Sequence, residues 1–139
     1  MIHVGRNDET SSLQPLVDAA GLNGTEVVGN EPVRLRRLDR VIAELGIDPA
    51  RTFLKIDVQG SEAAVLNGAG STLDAMPLVQ IETSLRPIYA GESDFATMVG
   101  FFRERGFVVR GIRPVYFHPE SREIMQVDLI AERNAGKGS

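Results

Sequence analysis

The chain has 139 residues, 42% hydrophobic and 24% charged, with a net charge of -4 and no cysteine. This is the length and composition of one globular domain, and its interspersed charges form no long basic stripe, so nucleic acid is not an expected partner. Lacking cysteine, it is excluded from disulfide scaffolds, thiolate zinc sites and thiol nucleophiles, although oxygen ligands could still hold a metal. Met1 to Glu9 lacks the basic and apolar regions of a signal peptide, and no stretch approaches about 18 continuous apolar residues. A protein without membrane contact and with a cytoplasmic location is therefore expected.

Residues 1–30 hold a short apolar start, the cluster Thr10-Ser11-Ser12, an apolar stretch from Leu13 to Ala20, then Gly21 and Gly24, with weak periodicity. Val33-Arg34-Leu35-Arg36 alternates apolar with charged residues and predicts an edge strand with one wet face. Its arginines, with Arg37, read as that solvated face in preference to an anion site. From Leu38 the period changes. Leu38, Val41, Ile42 and Leu45 recur at helical spacing, with Asp39 able to cap the start and Gly46 placed to end the helix.

Phe53 to Val58, bounded by Pro49 and Gly60, predicts a strand covered on both faces. A helix should follow from Ser61 as N-cap through Ala63, Ala64, Val65 and Leu66 to Gly68 and Gly70. Met76 to Glu82 predicts a second buried strand, with Pro77 tolerated at its beginning. Phe95, Met98, Val99 and Phe102 give an amphipathic helix between Ser93 and Arg105, closed by Gly106. Phe107 to Arg110 begins another strand, and Val115–Phe117 with Ile124–Ala131 predicts a hairpin around Pro119, Glu120 and Ser121. Alternating strands and helices of this kind build an α/β fold, a mostly parallel sheet finished by a C-terminal antiparallel hairpin. One α/β domain is expected over residues 1–134. The small polar tail 135–139 is expected to be disordered.

In open parallel sheets, ligands bind beyond the carboxyl ends of the strands, so polar residues there carry functional weight. Asp57 lies near the end of the first buried strand, and Glu82 closes the second, followed by Thr83 and Ser84. Glu62 falls in the first turn of the intervening helix, where the helix dipole favours a carboxylate. Each acid has a plainer reading: Asp57 and Glu62 as caps of the turn and helix, Glu82 as the partner of Lys55 or an arginine. Lys55 strengthens the case for Asp57, since two opposite charges on one strand face survive burial only when paired or solvated by a site. Gly60 permits a tight backbone beside them. Tyr89, after the second strand, is placed to line a pocket. Ser11 and Ser12 read as turn chemistry, with a substrate loop as the alternative. His3 and His118, in a terminal strand and a hairpin turn, read as solvated.

These motifs resemble the FkbM-type methyltransferases. The resemblance rests on Ser11-Ser12-Leu13, on Val33-Arg34-Leu35-Arg36-Arg37-Leu38-Asp39, on Leu54-Lys55-Ile56-Asp57-Val58-Gln59-Gly60-Ser61-Glu62, on Val65-Leu66-Asn67-Gly68-Ala69 and Gln80-Ile81-Glu82-Thr83-Ser84, and on the late strand Gln126 to Ile130. It implies a partial Rossmann-like methyltransferase sheet corresponding to the C-terminal half of the family's domain. It also implies S-adenosylmethionine as cofactor and O-methylation of a small molecule or sugar. On that reading Asp57, Glu82 and Glu62 are the catalytic candidates, Asp57 and Gly60 contact the cofactor, Ser12 and Tyr89 contact the methyl acceptor, and no metal is assigned.

The resemblance also implies a glycine-rich cofactor loop after the family's first strand, and no strand followed by Gly-x-Gly occurs here. Asn67-Gly68-Ala69-Gly70 comes at the end of a predicted helix and suits a C-cap. Without that loop, the strand at Lys55 becomes a sheet edge that could pair with a second copy or borrow a strand from residues 1–30. The rival readings are a non-catalytic methyltransferase-like interaction module and, further off, a metal-dependent hydrolase built on the three acids.

Overall fold

The computed structural model describes residues 1–7, 10–17 and 26–134. Gly21, Gly24, the end of the stretch Leu13 to Ala20 and the tail 135–139 lie outside the described residues. Two short strands, β1 (Ile2–Gly5) and β2 (Val27–Glu31), pair antiparallel, with Ile2 opposite Glu31. Pro32 follows at once, and proline removes a ladder donor.

The expected strand at Val33–Arg36 does not form: residues 32–37 have no regular structure, and Leu35 is 71% exposed. Alternation marks a strand only when one face is buried against something, and here neither face is. Helix α1 (Leu38–Glu44) starts as expected, and Gly46 ends it at φ 63. Asp39 does not cap it; its carboxylate binds the Arg37 guanidinium and the Arg40 N–H.

A 3-10 turn at Pro49–Arg51 leads into β3 (Phe53–Ile56), which continues through α2 (Glu62–Ala69) and a 3-10 segment to β4 (Leu78–Ser84). After α3 (Phe95–Glu104), β5 (Phe107–Phe117) and β6 (Ile124–Arg133) form one long hairpin. The two short strands expected at Phe107–Arg110 and Val115–Phe117 are thus a single strand, kinked by irregular pairing around Gly111 and Pro114. Asp94 caps α3 by accepting from Thr97 N–H at 2.8 Å, and Gly106 closes the helix at φ 77.

The main sheet has the order β3-β4-β6-β5. Only β3 and β4 are parallel; β6 inserts antiparallel between β4 and β5. The expectation of a mostly parallel sheet is corrected to a mixed one, because the hairpin contributes two of its four strands. The chain is nonetheless α/β, and the β3-α2-β4 crossover is the unit from which parallel sheets are built.

Register separates the two faces. Ile56, Val79, Ile81, Leu129 and Ala131 point to one side and form the core with Leu66 of α2 and Met98 and Phe102 of α3. Phe102 stacks edge-on against Phe107 at 5.5 Å and both belong to the core, while Phe101 is only half-buried. The alternate residues Lys55, Gln80, Glu82, Asp128 and Arg113 lie on the other side, and that side carries the polar chemistry.

The expectation that β3 is covered on both faces fails in part. Ile56 is buried, but Phe53 is 52% exposed and Lys55 is exposed, because β3 is the outermost strand of the sheet. Residues of β1 and β2 do not pair with it, so among the described residues no borrowed strand covers this edge. No helix among the described residues is long and apolar enough to cross a membrane.

Candidate functional site

The site grows from the turn between β3 and α2. Gln59 and Gly60 both take positive φ, 51 and 94. For glycine this is easy; for glutamine it is a strained conformation that persists only where the surroundings hold it. Several contacts do so. The buried Glu62 carboxylate accepts the N–H groups of Val58 and Gly60, each at 3.2 Å. The buried Ser12 hydroxyl donates to the Gln59 carbonyl, and Ser12 also pairs with His3 through the backbone. Beside Gly60 lies the Tyr89 side chain, and a Cβ placed on Gly60 would sit 2.4 Å from Tyr89 Cβ.

Gln59, a residue that sequence reasoning did not single out, is the hub. Its side-chain amide donates to Asp57 Oδ1 at 3.0 Å and hydrogen-bonds Glu82, while its Oε1 accepts from the Tyr89 hydroxyl at 2.8 Å. The orientation is determined by chemistry: the carboxylates only accept, so the NH2 must face them and the carbonyl must face the phenol. The available signal was its place between Asp57 and Gly60.

Asp57, just past β3, is exposed and also accepts from Lys55 Nζ at 3.0 Å, the pairing the strand pattern demanded. Asp57 in turn raises the Lys55 ammonium pKa, chiefly by hydrogen bonding. Glu82, partly buried on β4, has no ion pair among the described residues, contrary to the reading that gave it Lys55 or an arginine. It stands directly opposite Asp128, whose buried carboxylate is taken by the Arg113 guanidinium at 2.5 and 3.2 Å. Burial first, and then the nearby Asp57, Asp128 and Glu62 charges, push the Glu82 carboxyl up to about 7. Glu62 is raised as well, mainly by burial and against its backbone hydrogen bonds. Thr83 and Ser84, expected just after the strand, are its last two residues and are buried.

The structure thus brings Asp57, Glu62, Glu82, Gly60, Ser12 and Tyr89 around one turn, with distinct parts to play. Asp57 and Glu82 bring two carboxylates together on one Gln59 amide. Glu62 holds the turn, as its capping reading anticipated. Tyr89 is 3% exposed, and burial, followed by the surrounding acids, pushes its hydroxyl up to about 12. Ser12 is likewise buried in the scaffold.

Glu92, also not foreseen, ties down the following loop by accepting from Ser84 Oγ at 2.6 Å and from the N–H groups of Ile88 and Tyr89. The histidines are structural: His3 Nδ1 meets Asn30 Oδ1 at 2.7 Å, and His118 Nδ1 accepts N–H groups of its own turn. No group of three or more acids or histidines is arranged to hold a metal among the described residues.

An α/β unit with acids at the carboxyl ends of two neighbouring parallel strands is the architecture of a small-molecule site in an open sheet. The methyltransferase FkbM domain matches residues 3–109, most of the chain, and the chain belongs to that family. No curated protein and no solved structure matches it.

Two outcomes test this geometry. Gly60→Ala adds a methyl where Tyr89 already lies, at a φ that alanine disfavours, and should cost at least about 2 kcal/mol in urea unfolding. Gly100→Ala, in open space on α3, should change stability by no more than about 1 kcal/mol, in the stabilising direction. The folded state holds a proton on Glu82 up to about pH 7, whereas the unfolded chain releases it near 4.5. Stability should therefore fall as pH rises from about 4.5 to about 7, by about 1–3 kcal/mol after allowing for solvent screening at this partly buried group. In Glu82→Gln most of that decline should vanish, leaving the same-signed part due to Glu62.

Proposed function

We propose that this chain is an S-adenosylmethionine-dependent methyltransferase domain that methylates a hydroxyl oxygen of a small molecule or sugar. The observation that carries the reading is the pair of acids Asp57 and Glu82, bridged by Gln59 towards the carboxyl ends of β3 and β4, in a chain of the FkbM family. The parallel β3-α2-β4 crossover supports a Rossmann-like sheet.

The residues fit the cofactor's charge. S-adenosylmethionine carries a sulfonium and an ammonium, and the crevice presents carboxylates. Ser61 Oγ, in the same turn, is buried with no hydrogen-bond partner among the described residues, which leaves it for a polar ligand group. Asp57 and Ser61 would hold the cofactor, with Gly60 contributing indirectly through the turn it permits. When bound, the cofactor supplies a methyl group on a sulfonium that an in-line hydroxyl oxygen displaces.

Glu82 is the general base. A carboxyl held near pH 7 is matched to removing a hydroxyl proton at neutral pH, whereas Asp57 is exposed and already paired with Lys55. Gln59 positions both carboxylates through one amide. Tyr89 fixes that amide, and Ser12 fixes the backbone beneath it, so both serve the acceptor site from behind.

One observation favours a second reading, a methyltransferase-like interaction module without catalysis. Strand β1 belongs to a separate sheet, so among the described residues no strand with a glycine-rich loop adjoins β3. Titration calorimetry with S-adenosylhomocysteine decides. A Kd tighter than about 100 μM, weakened about tenfold or more in Asp57→Asn, supports the enzyme. Glu82→Gln should then keep binding but lose methyl transfer. No detectable heat from the native chain supports the module.

The edge of β3 is also proposed to pair with a second copy of the chain, since β3 is an outermost strand among the described residues and Phe53 on it is 52% exposed. Sedimentation velocity should show mass increasing with concentration. A monomer at every concentration, with full amide protection over residues 53–56, would overturn this.

A further inference from the structure

The loop after Pro32 and the start of α1 shape an open concavity of about 520 Å³ lined by Arg34, Leu35, Arg36, Arg37, Arg40 and Glu44. Four guanidinium groups face one lining carboxylate, in a protein whose net charge is -4. Because residues 32–37 form no strand, these arginines are not the wet side of a sheet edge.

Two of them are anchored. Arg36 pairs with Glu44, and Arg37 forks onto Asp39 at 2.7 and 3.2 Å. A guanidinium has five N–H donors and such a fork uses two, so Arg37 keeps donors in hand. Neither Arg34 nor Arg40 forms a side-chain salt bridge among the described residues; Arg40 meets Asp39 through its backbone N–H and through attraction at longer range, although acids outnumber bases in the chain. Like charges gathered without full compensation repel one another, and an anion placed among them relieves that repulsion.

We infer that this concavity binds a small soluble ligand carrying a phosphate or diphosphate group. Arginine's planar fork matches phosphate oxygens in pairs, and the volume lies in the range of small-molecule sites. The site is separate from the acidic crevice. Gly70, which ends α2, is the residue whose added Cβ would meet Arg37 Nη2 at 3.6 Å, whereas the crevice lies at the other end of the same helix. S-adenosylmethionine carries no phosphate, so it is not the ligand. The inference therefore stands independently of the methyltransferase reading.

The test is calorimetric titration of the whole chain with inorganic pyrophosphate at constant ionic strength, with inorganic phosphate and chloride as comparisons. Saturable binding is expected for pyrophosphate, weaker for phosphate and absent for chloride. The double variant Arg34→Gln/Arg40→Gln should weaken pyrophosphate at least about tenfold, and Arg34→Lys/Arg40→Lys, which keeps charge but loses the fork, should weaken it severalfold. Asp57→Asn should leave it unchanged. All these residues are exposed, so an unaltered circular dichroism spectrum is expected for each variant. Equal heats for pyrophosphate and chloride, or pyrophosphate binding indifferent to the double glutamine variant, overturns the inference. So does co-sedimentation with phosphatidylserine vesicles in the absence of pyrophosphate binding, which would assign the arginines to lipid headgroups.

Discussion

The turn from Asp57 to Glu62 is the constraint on which the site depends. Two consecutive residues with positive φ reverse the chain between β3 and α2, and only one of them is glycine. The cost at Gln59 is offset by two bonds that come from far along the sequence, Ser12 from the N-terminal segment and Tyr89 from beyond β4, and by the local Glu62 carboxylate, which holds the N–H groups on either side. Tyr89 can approach only because Gly60 has no side chain. Remove any of these, and Gln59 loses the reason to hold its amide between two carboxylates.

Once that amide is in place, the electrostatics follow from register. Glu82 and Asp128 face each other across β4 and β6, an arrangement that destabilises a sheet unless a counter-charge intervenes. Arg113 supplies one, but to Asp128, and Lys55 supplies another, but to Asp57. Glu82, partly withdrawn from water, has no ion pair among the described residues and takes a hydrogen bond from the Gln59 amide. Its raised pKa follows first from burial and then from the nearby charges of Asp57, Asp128 and Glu62, against the Gln59 hydrogen bond. The core on the opposite face, from Ile56 through Leu129, holds these strands rigidly enough for the arrangement to persist.

Most helices and the central strands were legible because their signals are local. The Phe95–Phe102 stripe, Gly46 and Gly106 each act within a turn or two, and all appear where periodicity placed them. Asp57 and Lys55 were legible as a pair for a similar reason, since strand alternation alone puts them on one face. What escaped is non-local. Nothing in Val33–Arg36 says that no strand lies beside it, and nothing in the hairpin says that β6 inserts between β4 and β5. Asp128 could have been flagged by the logic applied to Lys55, as a charge inside an apolar strand. Glu92 could not, because its partners are the N–H groups of a loop whose shape depends on tertiary contacts.

Helix α2 organises charge along the domain. Its N-terminal end carries Glu62 and opens on the acidic crevice, while Arg37 sits against Gly70 at its C-terminal end. Both placements follow the helix dipole, which favours an anion at the first end and a cation at the second. At eight residues the helix spans about 12 Å, longer than the Debye length of about 8 Å at physiological salt. The acidic and arginine-lined regions are therefore largely screened from each other, and a net acidic chain carries an acidic region and a basic one without either cancelling the other.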